Sequence, residues 1–156
     1  MADRELAIRG PHTEQGALAE GVLRALPDWF GIEQAITDYA RAADELPTFV
    51  AEAEDGAVGF LTLKPTSTYA IEVHVMAVLQ NEHRRGVGRA LVERAAAYAR
   101  AERFALLHVK TLAASDPDPG YAATRAFYAA VGFMPLEELP QVWGAENPCL
   151  LMVRVL

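Results

Sequence analysis

The segment that most restricts this chain is Gln80-Asn-Glu-His-Arg-Arg-Gly-Val-Gly-Arg89, because it joins two stretches of different hydrophobic period. Before it, Tyr69 to Leu79 alternates, with Ile71, Val73 and Val75 set against Glu72, His74 and Met76. That period of two predicts a strand and places Glu72, His74 and Met76 on one face. After it, Gly86 to Arg103 carries Gly88, Leu91, Val92, Ala95, Ala96 and Ala99 at helical spacing, with no proline inside. A helix start offers unpaired backbone N–H groups and the positive end of a dipole. Gly86 and Gly88 let backbone approach an anion without a Cβ in the way. Arg84, Arg85 and Arg89 add charge, so the loop predicts a phosphate or pyrophosphate site.

The rest of the chain surrounds this strand–loop–helix step with short elements. Glu5 to Arg9 reads as a first strand, Thr13 as the cap of a helix running to about Leu26 and ended by Pro27, and Ile32 to Ala43 as a second helix. Phe49 to Ala53 and Val58 to Leu63 flank Glu54-Asp55-Gly56-Ala57, an Asp-Gly hairpin signal. Phe104 to Leu112 is strand-like, and Asp118-Pro119 opens a helix that stops at Gly132. Phe133 to Leu136 and Leu150 to Val155 are closing strands. The order β-α-α-β-β-β-α-β-α-β-β, a meander giving way to βαβ, predicts an α/β (α+β) fold. It has a mixed sheet of six or seven strands and four helices, and residues 1–156 are read as a single domain.

Composition narrows the function classes. Residues 1–70 hold 12 acidic and 5 basic side chains while residues 71–156 hold 9 of each, and an acidic first half argues against general nucleic-acid binding. No apolar run approaches a membrane span of about 20 residues, and the charged start Met-Ala-Asp-Arg-Glu carries no apolar leader, so a cytoplasmic location is expected. The single cysteine, Cys149, heads the apolar run Cys149-Leu-Leu-Met-Val and reads as core. Four histidines without ligand spacing predict no metal site.

Several phosphate-binding patterns compete for the loop. A P-loop requires Gly-Lys-Ser/Thr, and Gly88 is followed by Arg89-Ala90. A dinucleotide fingerprint requires a third glycine where Leu91 stands. A ligand-free helix cap remains open. His83-Arg-Arg-Gly86-Val-Gly88 resembles the acetyl-CoA signature of the GNAT superfamily, Gln/Arg-x-x-Gly-x-Gly/Ala, with His83 at the first position. His74-Val-Met-Ala-Val78 is similar to the strand whose end splays in that family. Thr124-Arg-Ala-Phe127-Tyr128-Ala-Ala-Val-Gly132-Phe133 resembles its second signature, with Tyr121 where many members have Asn and Thr124 where many have Ala.

The resemblance implies a GNAT fold and an N-acetyltransferase that uses acetyl-CoA as acyl donor and no metal. It implies cofactor contacts from Met76, Ala77, Val78, His83, Arg84, Arg85, Gly86, Val87, Gly88 and Arg89, with Tyr121 and Thr124 from the late helix. The amides of Met76 to Val78 would face the thioester oxygen, Glu72 or His74 would serve as base, and Tyr128 would protonate the leaving thiolate. Asp28-Trp29-Phe30 lies where the fold forms its acceptor wall, so Trp29 and Phe30 are expected at the acceptor, a small-molecule amine. Neither nucleic acid nor membrane is an expected partner, and a homodimer is compatible with the family. A protein or peptide acceptor, and a regulatory module that binds acyl-CoA without turnover, are the alternatives.

Overall fold

The computed structural model describes residues 5–115 and 118–156; the charged start Met1–Arg4 lies outside the described residues. Two compact units make up the chain, one of Met1–Lys64 and His74–Tyr98, the other of Pro65–Val73 and Ala99–Leu156. The elements are β1 (Ala7–His12), α1 (Gly16–Arg24), α2 (Glu33–Glu45), β2 (Thr48–Ala53), β3 (Gly56–Pro65), β4 (Ala70–Val78), α3 (Val87–Ala101), β5 (Leu106–Leu112), α4 (Pro119–Ala130), β6 (Met134–Leu139) and β7 (Cys149–Val155). Strand order is β1-β2-β3-β4-β5-β7-β6. The β4–β5 pair is parallel, whereas β1–β2, β2–β3, β5–β7 and β6–β7 are antiparallel. This is the mixed α/β architecture that the order of periods predicts, with seven strands and four helices among the described residues.

In the first unit, α1 and α2 bury Ala19, Val22, Leu23, Ile36 and Ala43 against Val50, Phe60, Val75 and Ala77. Fully burying a side chain such as Leu23 contributes about 1.5–3 kcal/mol. The Asp-Gly signal sits at the β2–β3 turn, where Gly56 takes φ +117° and pairs with Ala53. Arg94 of α3 lies 5.7 Å from the Phe49 ring centroid and donates to the Gly10 carbonyl (3.2 Å), tying the helix to β1 and β2.

Three elements, α1, β1 and β6, differ from the sequence expectation for physical reasons. Thr13 does not cap α1; the helix starts at Gly16, its N-cap Gln15 makes no side-chain cap bond, and the Gly16 N–H is accepted instead by Asp44 Oδ1 at 2.7 Å. Glu14 and Gln15 donate to the Asp44 and Ala43 carbonyls, so the end of α2 caps the start of α1. A Cβ on Gly16 would meet Asp44 Oδ2 at 2.4 Å, which explains the glycine there. Asp44→Ala is expected to cost about 1–2 kcal/mol, as loss of an N-cap does, and Asp44→Asn, which keeps the acceptor, to cost less than half of that; urea unfolding midpoints measure both. The helix also ends at Arg24 rather than Leu26, the amides of Ala25 and Leu26 closing a tighter last turn on Val22 and Leu23.

The second difference is β1, which runs to His12 through Gly10-Pro11, with a register shift between Arg9 and His12. An edge strand tolerates a proline that a central ladder would reject; His12 is its exposed last residue. The third is β6, which extends to Leu139, so Glu137 and Glu138 are strand residues paired with Leu151 and Leu150.

In the second unit, β5 and β7 pair over Leu106↔Val155 to Leu112↔Cys149. Ile71, Leu107, Val109, Tyr128, Phe133, Cys149 and Met152 are buried there. Asp118 caps α4 as expected, accepting from the Gly120 N–H at 2.8 Å with Pro119 at the first helical position. Among the described residues no helix is long and apolar enough to cross a membrane.

Candidate active site

The candidate residues of the first unit gather where β4 ends. The Leu79 N–H donates to the Val58 carbonyl at 2.9 Å. On the neighbouring strand, a Cβ on Gly59 would stand 3.0 Å from the Ala77 carbonyl, so glycine permits this close approach of β3 to β4. A single 3₁₀ turn, Gln80–Glu82, follows, with the Glu82 side chain buried. The chain then swings into α3 through Arg84 (φ +64°) and Gly86 (φ +82°), two left-handed residues around Arg85. The first α-helical bond runs from the Ala90 N–H to the Gly86 carbonyl at 3.0 Å.

Amides of a first helical turn have no partner within the helix, so those of Val87 and Gly88 carry the positive end of the α3 dipole. Buried Val87 anchors the turn, while Arg84, Arg85, Gly86 and Arg89 are exposed. Around Gly86, nothing stands within 4 Å of a built Cβ, so the backbone is open to a ligand. Left-handed residues alternating with others form an anion-binding concavity. The donor set therefore suits a pyrophosphate.

An aromatic wall lies in the same unit. Phe30 meets Tyr39 edge to face at 6.2 Å between ring centroids, and Tyr39 meets His74 at 5.5 Å. Trp29 meets His83 at 5.5 Å, and His83 Nε2 lies 2.8 Å from the Val78 carbonyl. The wall is positioned by the α1–α2 connection, where the N–H groups of Trp29 and Phe30 both reach the Leu26 carbonyl. His74, Met76 and Val78 are partly exposed, whereas Ala77 is buried.

The second unit holds the remaining residues. Glu72 is buried and forms an ion pair with Lys110 of β5. In the β4–β5 ladder Glu72 pairs with His108, the last registered pair, while β4 continues to Val78. His108 and Thr66 Oγ1 lie 2.8 Å apart, and burial holds the His108 pKa below its ordinary value, with Glu72 opposing and Lys110 reinforcing that shift. Burial pushes the Cys149 thiol up.

Tyr128 is buried between Phe127 (5.3 Å) and Phe133 (5.4 Å). Tyr121 and Thr124 are partly exposed on α4, with Thr124 Oγ1 donating to the Gly120 carbonyl at 3.1 Å. Arg125 ties α4 to the end of β5, donating to the carbonyls of Leu112 (2.8 Å) and Ala113 (3.1 Å).

The structure thus brings Trp29 to His83, His83 to Val78, and Phe30 through Tyr39 to His74. Glu72 is engaged by Lys110 and Tyr128 by its aromatic neighbours. Neither Tyr39 nor Lys110 is among the candidates that the sequence alone offers. Lys110 was recoverable in principle, since a lysine alternating with His108 in a strand beside a glutamate-bearing strand is a cross-strand pair waiting for a register.

A profile of the acetyltransferase (GNAT) domain matches residues 44–135, more than half of the chain. Solved structures agree in fold. A GNAT-family protein from Desulfovibrio desulfuricans superposes with a TM-score of 0.78 at 22% identity, over 97% of this chain and 99% of that one. The ribosomal-protein-S18-alanine N-acetyltransferase of Escherichia coli gives 0.75 at 18% identity, over 97% and 94%. An aminoglycoside 6'-N-acetyltransferase complexed with coenzyme A gives 0.74 at 15% identity, over 96% of each chain. No curated protein matches. The chain belongs to the GNAT family, whose members are acetyl-CoA-dependent acetyltransferases.

Proposed function

We propose that this enzyme acetylates a primary amine of a small molecule by direct transfer from acetyl-CoA in a ternary complex. The observation that carries the reading is the Arg84–Gly86 turn, which follows the end of β4 and opens the amide-bearing end of α3. The cofactor brings an acetyl group activated as a thioester. Its pyrophosphate is held by the amides from Arg84 to Arg89, with His83, Arg84, Arg85 and Arg89 around them and Tyr121 and Thr124 contributing from α4.

Amides of Met76, Ala77 and Val78 stabilise the developing charge on the thioester oxygen, a contribution of roughly 3–4 kcal/mol to the barrier. Glu72, paired with Lys110, takes the proton of the attacking amine directly or through water, and His74 is the second candidate for that task. Tyr128 returns a proton to the leaving thiolate. Trp29, Phe30 and Tyr39 supply flat apolar surface for the acceptor, and this wall favours a small amine over a peptide backbone.

Tyr128→Phe is expected to lower kcat by roughly 10²-fold, the lower end for loss of a general acid, with acetyl-CoA affinity within about threefold of the parent by calorimetry. Thiol release over a panel of small amines and N-terminal peptides tests the acceptor class. Turnover confined to peptides overturns the small-molecule reading, and cofactor binding without turnover on any amine supports a regulatory module.

A further inference from the structure

His83 touches three structures at once. Its ring nitrogen Nε2 is 2.8 Å from the Val78 carbonyl, and since a carbonyl only accepts, Nε2 carries the proton and donates. Its ring stands edge to face with Trp29 at 76° and 5.5 Å. Its backbone N–H closes the 3₁₀ turn on the Gln80 carbonyl at 3.1 Å, and the next residue, Arg84, is the first left-handed position of the turn. An exposed imidazole thus links the last residue of β4, the α1–α2 connection and the start of the phosphate-binding turn.

An L-residue in the left-handed region costs about 1–2 kcal/mol, so a turn carrying one at Arg84 is tightened by any anion its amides hold. Tightening it fixes the peptide that bears the His83 ring. The ring in turn fixes Trp29 from one side and the Val78 carbonyl from the other. We propose that His83 is a positioning residue that couples cofactor occupancy to the acceptor wall, so that the wall is set only after the cofactor has bound. The inference rests on the reading of the turn as the cofactor's pyrophosphate site. Coupling of this kind is reciprocal: whatever orders Trp29 also tightens the turn.

The test uses the full chain with Trp143→Phe, which leaves Trp29 as the sole tryptophan, and reads its emission and its quenching by acrylamide while coenzyme A is added. Saturating coenzyme A is expected to reduce the quenching constant by about twofold, because a ring held in one position admits less acrylamide than a mobile one. His83→Ala abolishes this response even at coenzyme A concentrations that calorimetry shows to saturate the variant, whatever its affinity. His83→Phe keeps an aromatic edge on Trp29 but has nothing to donate to Val78; it keeps the parent's starting emission and loses the response. An unchanged response in His83→Ala overturns the coupling, as does calorimetric binding with no Trp29 response in the parent. Absence of coenzyme A binding in the parent overturns the pyrophosphate site itself, and the coupling with it.

Discussion

Lys110→Met is expected to destabilise the protein by about 2–3 kcal/mol. The Glu72 side chain is 9% exposed and ion-paired with Lys110, so the variant removes a cation from beside a buried carboxylate. Breaking a fully buried pair costs about 3–5 kcal/mol; the Lys110 side chain is 30% exposed, and solvent screening at its outer end brings the figure down. A loss of that size lowers the thermal midpoint by roughly 5–10 °C in a domain of this length. The double variant Glu72→Gln/Lys110→Met removes the buried charge as well and is expected to recover more than half of the loss, because residues in contact do not add. Equal midpoints for the single and double variants would show that the pair contributes nothing beyond packing.

Gly86→Pro is expected to weaken acetyl-CoA binding by at least 10²-fold, about 2.7 kcal/mol, as read by calorimetry. Proline holds φ near −65° and has no N–H, while Gly86 sits at +82°. The substitution reverses the turn and deletes an amide at the head of α3. Gly86→Ala separates these causes. A Cβ there meets nothing within 4 Å, so alanine suffers only the left-handed strain of about 1–2 kcal/mol and keeps its amide. It should bind roughly tenfold more weakly than the parent, between parent and proline variant. Parent-like binding by the proline variant would sink the turn as the cofactor's anchor.

How far the fold can be read from residues alone depends on whether the deciding contact is local. Asp118-Pro119 and Asp55-Gly56 act within a few residues of themselves, and both turn up where their local chemistry predicts. The order of elements is equally legible, because the change of period at Gln80–Arg89 needs no tertiary information. Thr13 was misread because α1 takes its cap from Asp44, a residue 28 positions away, and no local rule finds that partner. The first strand was expected over Glu5 to Arg9 and runs instead over Ala7–His12, because the place of β1 at the sheet edge is not written in its own residues.

The same division applies to the site. The amide-rich turn is written in consecutive residues, and so is the wall segment Trp29-Phe30. The links that join them are not: His83 to Trp29, Tyr39 to His74 and Lys110 to Glu72 each span elements distant in sequence. Their residue types were visible; their partners required register and packing.

Cys149 carries a practical consequence. It is the chain's only cysteine, it is fully buried, and burial pushes its thiol up. The thiolate is the reactive form and requires access to reagent, so the folded enzyme is silent toward Ellman's reagent. Every yellow anion liberated in an assay of the folded protein then counts one coenzyme A released. In the absence of cofactor, the same reagent registers Cys149 only when the second unit opens, which makes the colour a clock for its unfolding.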